Sequence, residues 1–194
     1  MHIVPFLILL LVFAFGRSEF VNTDVAQTVY ADSHIIRIDA EITLDLSEGP
    51  VGMYHYAIDP DISDHLSFIE AKINSKTSVP VERISEVSNV TEFVIRIPAE
   101  NSGKRFKFTV SSFFTGLLKP KPAKILQADK QLVEFVINVG YFSVYPSQRV
   151  TTTVVLSPGD VLFYTIDLQP VHKTASRIKY GPFENAPPFD KVII

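Results

Sequence analysis

The 194-residue chain carries a formal charge of −3, so long-range attraction to nucleic acid is not expected. It has no cysteine, which excludes a disulfide framework and thiol chemistry, and no tryptophan, so 15 Phe and 7 Tyr supply its large side chains. At 46% hydrophobic residues it is rich enough to bury a core, and stability has to come from apolar packing and backbone pairing.

Residues 5–16 form one apolar block of signal-peptide length, short of the roughly 20 residues that span a hydrocarbon core. Small residues at Ala14 and Gly16 permit cleavage before Arg17, and Gly16 with Ser18 offers a second site before Glu19. The expected organisation is therefore a signal peptide over 1–16 (or 1–18) and a lumenal β module over 17–194. The n-region lacks Lys and Arg, and an uncleaved anchor or a buried N-terminal strand is the alternative. No later apolar run approaches spanning length, so no transmembrane segment is expected in the mature chain.

From residue 35 to 46, Ile36, Ile38, Ala40, Ile42, Leu44 and Leu46 alternate with Arg37, Asp39, Glu41, Thr43 and Asp45. A period of two over this length predicts a strand with one buried face and one wet face. Residues 52–58 continue as a strand into a polar turn over 59–64, and 66–74 fits either a strand or a short helix. Strands are expected over 92–98 and around Phe106, Phe108 and Val110, with the turn at 100–103 between them. The Lys119-Pro-Lys-Pro122 stretch resists helix and central strand, because proline lacks a ladder donor. It reads as an extended connection, or as a linker near 117–124 dividing the module into two sub-sheets. Segments 131–139, 141–145, 150–156 and 161–168 are rich in β-branched and aromatic residues, as strands are. The last stretch, 172–194, has three prolines and weaker periodicity, and ends in an apolar run that fits a strand. About nine to ten strands with short turns predict an all-β sandwich or paired antiparallel sheets.

Chemistry-bearing clusters are few. Asp59-Pro60-Asp61, with Asp64 and His65, has the carboxylate spacing to share a divalent cation and a diphosphate. Asp and Pro are also ordinary turn residues, and no Gly-rich phosphate loop accompanies them, so a solvated turn is the simpler expectation. The sequence contains no Gly-x-Ser-x-Gly, His-Glu-x-x-His or P-loop, and His34, His55, His65 and His172 show no ligand spacing. No catalytic residue, metal ligand or cofactor site is assigned. Lys104, Arg105, Lys107, Lys119, Lys121, Lys124 and Lys130 form a basic stretch. Such a face can meet anionic headgroups or an acidic partner, or form the wet side of two strands and their connection, where lysine also discourages edge pairing. Asn89-Val90-Thr91 is a glycosylation sequon, with Asn89 as acceptor.

Three aromatic–proline segments remain: Tyr141-Phe-Ser-Val-Tyr-Pro146, Tyr180-Gly-Pro-Phe183 and Ala186-Pro-Pro-Phe189. They fit the seal of a β core edge, or a surface facing a peptide or subunit. The first two of these, with Val21-Asn-Thr-Asp-Val25 and Gln131-Leu-Val-Glu-Phe-Val136, resemble the N-terminal lumenal domain of the ribophorin I family in order and spacing. That family is the non-catalytic first subunit of the oligosaccharyltransferase complex; Val144 stands where it more usually has proline. The resemblance implies residence in the endoplasmic reticulum and assembly with the other transferase subunits. It also implies support for transfer of oligosaccharide from dolichyl diphosphate to Asn-x-Ser/Thr, with nascent polypeptides as contacts. The Trp-Trp-Asp signature of the catalytic subunit is impossible in a chain without tryptophan. Family members continue into a second lumenal domain, a membrane helix and a cytosolic tail, so a fragment and a short form are both open. The alternative function is a free lumenal or secreted β module that binds peptides or another protein.

Overall fold

The computed structural model describes residues 20–31, 33–46, 52–74, 76–84, 90–98, 105–126, 131–157 and 168–194. Two layers face one another across a single hydrophobic core. The expected all-β sandwich-like architecture is present, with thirteen strands and one helical turn among the described residues.

The larger layer is an eight-stranded sheet. In spatial order it contains β12 (His172–Lys173), β13 (Arg177–Ala186), β11 (Ser147–Leu156), β1 (Asn22–Ala31), β2 (Ile35–Asp45), β8 (Arg105–Thr115), β4 (Leu66–Ile73) and β5 (Thr77–Val79). β2 and β8 are interior neighbours in it, paired over their full lengths from Ile35↔Thr115 to Asp45↔Arg105. Alternation fixes that register: Ile36, Ile38, Ala40, Ile42 and Leu44 bury one face of β2, and Phe106, Phe108, Val110 and Phe114 bury the same face of β8. A slip of one residue would turn every one of these side chains towards water.

The sheet is mixed rather than purely antiparallel, because β1 lies parallel to β11, with Val25 opposite Val150 and Val29 opposite Val154. A parallel pair needs a long crossover instead of a hairpin. Here nearly the whole second layer intervenes between the two strands. The first strand, β1, was not marked by the sequence pattern, since Asn22, Gln27 and other polar residues interrupt its apolar face.

The second layer has two parts. One is a three-stranded sheet of β3 (Met53–Ile58), β7 (Thr91–Arg96) and β6 (Val81–Arg83). The chain enters it from β5 at Pro80, a residue that suits a corner between sheets because it needs no ladder donor. Tyr54 of β3 meets Phe108 of β8 edge-to-face at 5.2 Å, so this small sheet covers the β2–β8 region. The other part is an irregular strap over residues 135–146, whose Ile137, Val139, Tyr141 and Tyr145 join the same core. Residues 131–139 form strand only at β10 (Leu132–Glu134), and 141–145 are extended without a ladder. β10 pairs with β9 (Lys119–Lys121) as a separate two-stranded ribbon, so the Lys-Pro-Lys-Pro stretch is extended and paired. Residues 66–74, ambiguous in sequence, are the strand β4 plus a turn at Asn74. The expected turn at 100–103 and most of the expected strand 161–168 lie outside the described residues.

Candidate functional site

The strap holds a built polar site among the described residues. Gln27 of β1 and Thr152 of β11 are register partners on the inner face of the large sheet. Gln27 Nε2 donates to the Asn138 carbonyl at 3.3 Å, and Thr152 Oγ1 donates to the Val139 carbonyl at 2.7 Å. A strap without a strand neighbour would otherwise bury unpaired backbone carbonyls, at about 1–3 kcal/mol each. Polar residues at inward positions of β1 and β11 therefore replace the missing ladder.

A second cluster secures the far end. Asn22 Nδ2 donates to Ser143 Oγ at 3.2 Å and to Ser147 Oγ at 3.1 Å, while its Oδ1 accepts from the Tyr54 hydroxyl at 3.0 Å. Ser143 Oγ also accepts from the Tyr145 backbone N–H, and the Tyr145 hydroxyl accepts from the backbone N–H of His55. This cluster links β1, β3, β11 and the strap through one fully buried asparagine. Burial pushes the Tyr54 phenol well above the ordinary tyrosine range, and hydrogen bonds from Tyr141 and Ser143 offset this only in part. Burial raises Tyr56 and Tyr141 as well.

The third cluster contains the aspartates singled out in sequence. Asp59 caps the single helical turn α1 (Pro60–Ser63), accepting from the Asp61 backbone N–H at 3.1 Å. Its side chain is only 7% exposed, so it does not belong to a solvated turn. Lys191 Nζ lies 2.7 Å from Asp59 and 2.8 Å from Asp61, placing an ammonium where a shared cation would sit. Burial depresses the Lys191 pKa, but hydrogen bonds and charge from both aspartates outweigh that effect and hold it above the usual lysine value. Asn138 completes the cluster. Its Nδ2 donates to Asp59 and to the Asp190 carbonyl, and its Oδ1 accepts from the backbone of Gly140 and Val192. The C-terminal residues then pair with the strap, through mutual bonds between Ile137 and Ile194 and a 2.7 Å bond from Val139 N–H to the Val192 carbonyl.

Where the strap meets the small sheet there is a cleft of about 40 Å³, lined by Gln27, Tyr56, Asp59, Asn138 and Tyr141 among others. That volume admits a few water molecules rather than a sugar or peptide side chain. Asp64 ends α1, and the His65 Nδ1 donates to the Thr115 carbonyl at 2.8 Å, closing the end of the β4–β8 pair. His55 lies 3.5 Å from Glu92 on the neighbouring strand. Among the described residues no group of three or more His, Asp or Glu side chains is arranged to hold a metal ion. The site's polar groups are directed at one another, and its chemical capacity is to hold segments together.

Asn89 lies outside the described residues, whereas Thr91 of its sequon opens β7 and is buried. The basic stretch divides: Arg105 and Lys107 lie on β8, with Lys107 paired to Glu41, while Lys119, Lys121 and Lys124 lie on or beside the ribbon. Lys104 and Lys130 are outside the described residues. Of the aromatic–proline segments, Tyr180–Phe183 lies on β13 of the large sheet and 141–146 belongs to the strap that covers that sheet. Tyr180 is fully buried, and Gly181 adopts φ +84° where a Cβ would sit 2.6 Å from the Val150 carbonyl. Phe142 and Phe189 contact at 5.2 Å beside Lys191. Sequence reasoning missed Asn22, Gln27, Thr152, Asn138 and Lys191; for the first three the available signal was polar residues at inward positions of otherwise apolar strands.

The profile of the Ribophorin I family matches residues 20–194. The chain belongs to the ribophorin I family. It is 26% identical over 189 residues to the Caenorhabditis elegans dolichyl-diphosphooligosaccharide–protein glycosyltransferase subunit 1, covering 95% of this chain and 32% of that protein. It is 24% identical over 191 residues to subunit 1B of Arabidopsis thaliana, covering 92% of this chain and 41% of that protein. The ribophorin I-family chain thus spans a third to two-fifths of the length of these relatives. Among solved structures, native yeast LTA4 hydrolase shares the fold, with a TM-score of 0.53 at 10% identity over 89% of this chain and 28% of that one. No helix among the described residues is long and apolar enough to cross a membrane.

Proposed function

We propose that this chain is a non-catalytic accessory component of the oligosaccharyltransferase complex. In that role it supports transfer of oligosaccharide from dolichyl diphosphate to Asn-x-Ser/Thr. The observation that carries this proposal is the family match over residues 20–194, joined to relatives that are subunit 1 of that glycosyltransferase. The site agrees with a structural role, because Asn22, Asn138, Asp59 and Lys191 are engaged with other parts of the same module. The module acts in or at the membrane of the endoplasmic reticulum, with the other transferase subunits and nascent polypeptides as its contacts. Residues 1–16 (or 1–18) form the leader, 17–194 the lumenal module, and Asn89 carries glycan.

Mild detergent extraction of microsomes tests complex membership. Tagged chain is expected to co-purify with the catalytic subunit, and recovery only as a free monomer would overturn it. N-terminal sequencing of the recovered chain checks the leader. A mobility shift with endoglycosidase that disappears in Asn89→Gln checks the glycan.

A further inference from the structure

Residues 189–194 lie against the strap as an antiparallel strand would, although the only regular bridge between them sets Asn138 opposite Ile193. Ile137 exchanges both of its backbone bonds with Ile194, and the Val139 N–H donates to the Val192 carbonyl. The Phe189 N–H donates to the Ser143 carbonyl at 2.8 Å, and the Asn138 side chain binds the Asp190 carbonyl and the Val192 N–H. Six hydrogen bonds therefore grip the backbone of this segment. Main-chain recognition of this kind accepts an extended segment of any sequence, and side-chain pockets give the selectivity.

Those pockets are defined by the segment already seated. Lys191 reaches Asp59 at 2.7 Å and Asp61 at 2.8 Å. Two residues before it, the Phe189 ring rests on Phe142 at 5.2 Å. One and three residues after it, Val192 and Ile194 pack against the core. Val192 lies over Gly140, where a Cβ would come within 3.3 Å of the valine Cγ2, so the missing side chain at 140 makes room for it. The acidic pocket, the aromatic rest and the aliphatic slots thus read a lysine with fixed neighbours.

The seated segment is held by these contacts and not by deep burial. No residue from 187 to 194 is fully buried, whereas Ile137, Val139, Tyr141 and Tyr145 of the strap are. The segment can leave while the apolar anchors of the strap stay in place, an opening at the low end of local stability. Phe189 also holds φ +59°, a left-handed conformation that a bulky residue rarely adopts. That strain weighs against the seated state and favours exchange.

We propose that the strap edge, with Asp59 and Asp61, is a strand-addition site for an extended lysine-bearing polypeptide, and that residues 187–194 occupy it in cis as an autoinhibitory segment. A competing segment in trans takes over the same backbone bonds and seats its lysine between the two aspartates. It carries an aromatic residue two positions before that lysine and aliphatic residues one and three positions after. The inference rests on the reading of nascent polypeptides as contacts only for the source of that segment. Co-purification with the catalytic subunit tests complex membership separately.

The test titrates the full chain into a fluorescein-labelled peptide of residues 187–194 and reads binding by anisotropy. In the wild-type chain the tethered copy competes at an effective concentration on the order of millimolar, so binding is weak. Lys191→Glu sets a carboxylate against Asp59 and Asp61, frees the groove, and is expected to bind the peptide roughly tenfold more tightly. Lys191→Met, which keeps the aliphatic stem, is expected to fall between the two. Hydrogen exchange on the same chains should show the amides of Val192 and Ile194 released while β2 and β8 stay protected. A peptide with Lys191→Glu is expected to bind at least roughly tenfold more weakly than the native peptide. Retained protection of Val192 and Ile194 in both variants would overturn the proposal. So would peptide binding no tighter to either variant than to the wild-type chain, or equal binding of the two peptides.

Discussion

The two halves of the second layer cover the same sheet by different means. The β3–β7–β6 half is conventional: Tyr54, Tyr56, Phe93 and Ile95 face the core, and backbone ladders satisfy most of its polar groups. The strap over 135–146 contributes Ile137, Val139, Tyr141 and Tyr145 to the same core with almost no ladder of its own. It is held instead by side chains from β1 and β11 and by Asn138. One half is secured by periodic apolar burial and the other by a few specific hydrogen bonds. Loss of one residue is therefore expected to act broadly in the first half and locally in the second.

The largest effect is expected from Phe93→Ala in the laddered half. Removing a buried aromatic costs about 3–5 kcal/mol, read as a lower urea midpoint with protection lost across both sheets. Asn138→Ala in the strap leaves the N–H groups of Gly140 and Val192 without their acceptor, at a cost of about 2–4 kcal/mol. Hydrogen exchange should accelerate over 137–143 and 192–194 while β3 and β7 stay protected. Equal loss of protection in both halves would show that they open as one unit and end the contrast. Gly181→Ala tests the β11–β13 wall beneath the strap. Its positive φ and the close Val150 carbonyl predict a loss of about 1–3 kcal/mol.

Alkaline titration sharpens the comparison, because raised tyrosines occur in both halves: Tyr54 and Tyr56 in the sheet, Tyr141 in the strap. Each has a higher pKa folded than unfolded. Their contribution is thus fully present below the unfolded-state value of about 10 and is lost as pH rises above it. The raised Lys191 acts in the same direction. Melting temperature is expected to fall as pH rises through that window, and Tyr56→Phe should flatten the slope. The smallest effect is expected at the exposed Arg96–Glu82 pair of the small sheet, where Arg96→Gln should leave the melting midpoint unchanged.

The sequence by itself determined the strands whose two faces differ. The alternation from Ile36 to Leu44 placed β2 and its buried face, and Phe106, Phe108 and Val110 placed β8, because one-sided burial writes a period of two into the chain. The family was also legible, from segments such as Val21–Val25, 141–146 and Tyr180–Phe183, and its profile matches residues 20–194. The tertiary structure decided how these pieces meet. The parallel β1–β11 pair joins residues more than a hundred positions apart, and local pattern carries no signal for such pairing. Asp59 and Asp61 looked like turn residues until Lys191 arrived from the far end of the chain to neutralise them. The strap looked like two strands because it is rich in β-branched and aromatic residues, yet the hydrogen-bond partners that define a strand lie on other segments, and only folding decides whether they are backbone or side chain.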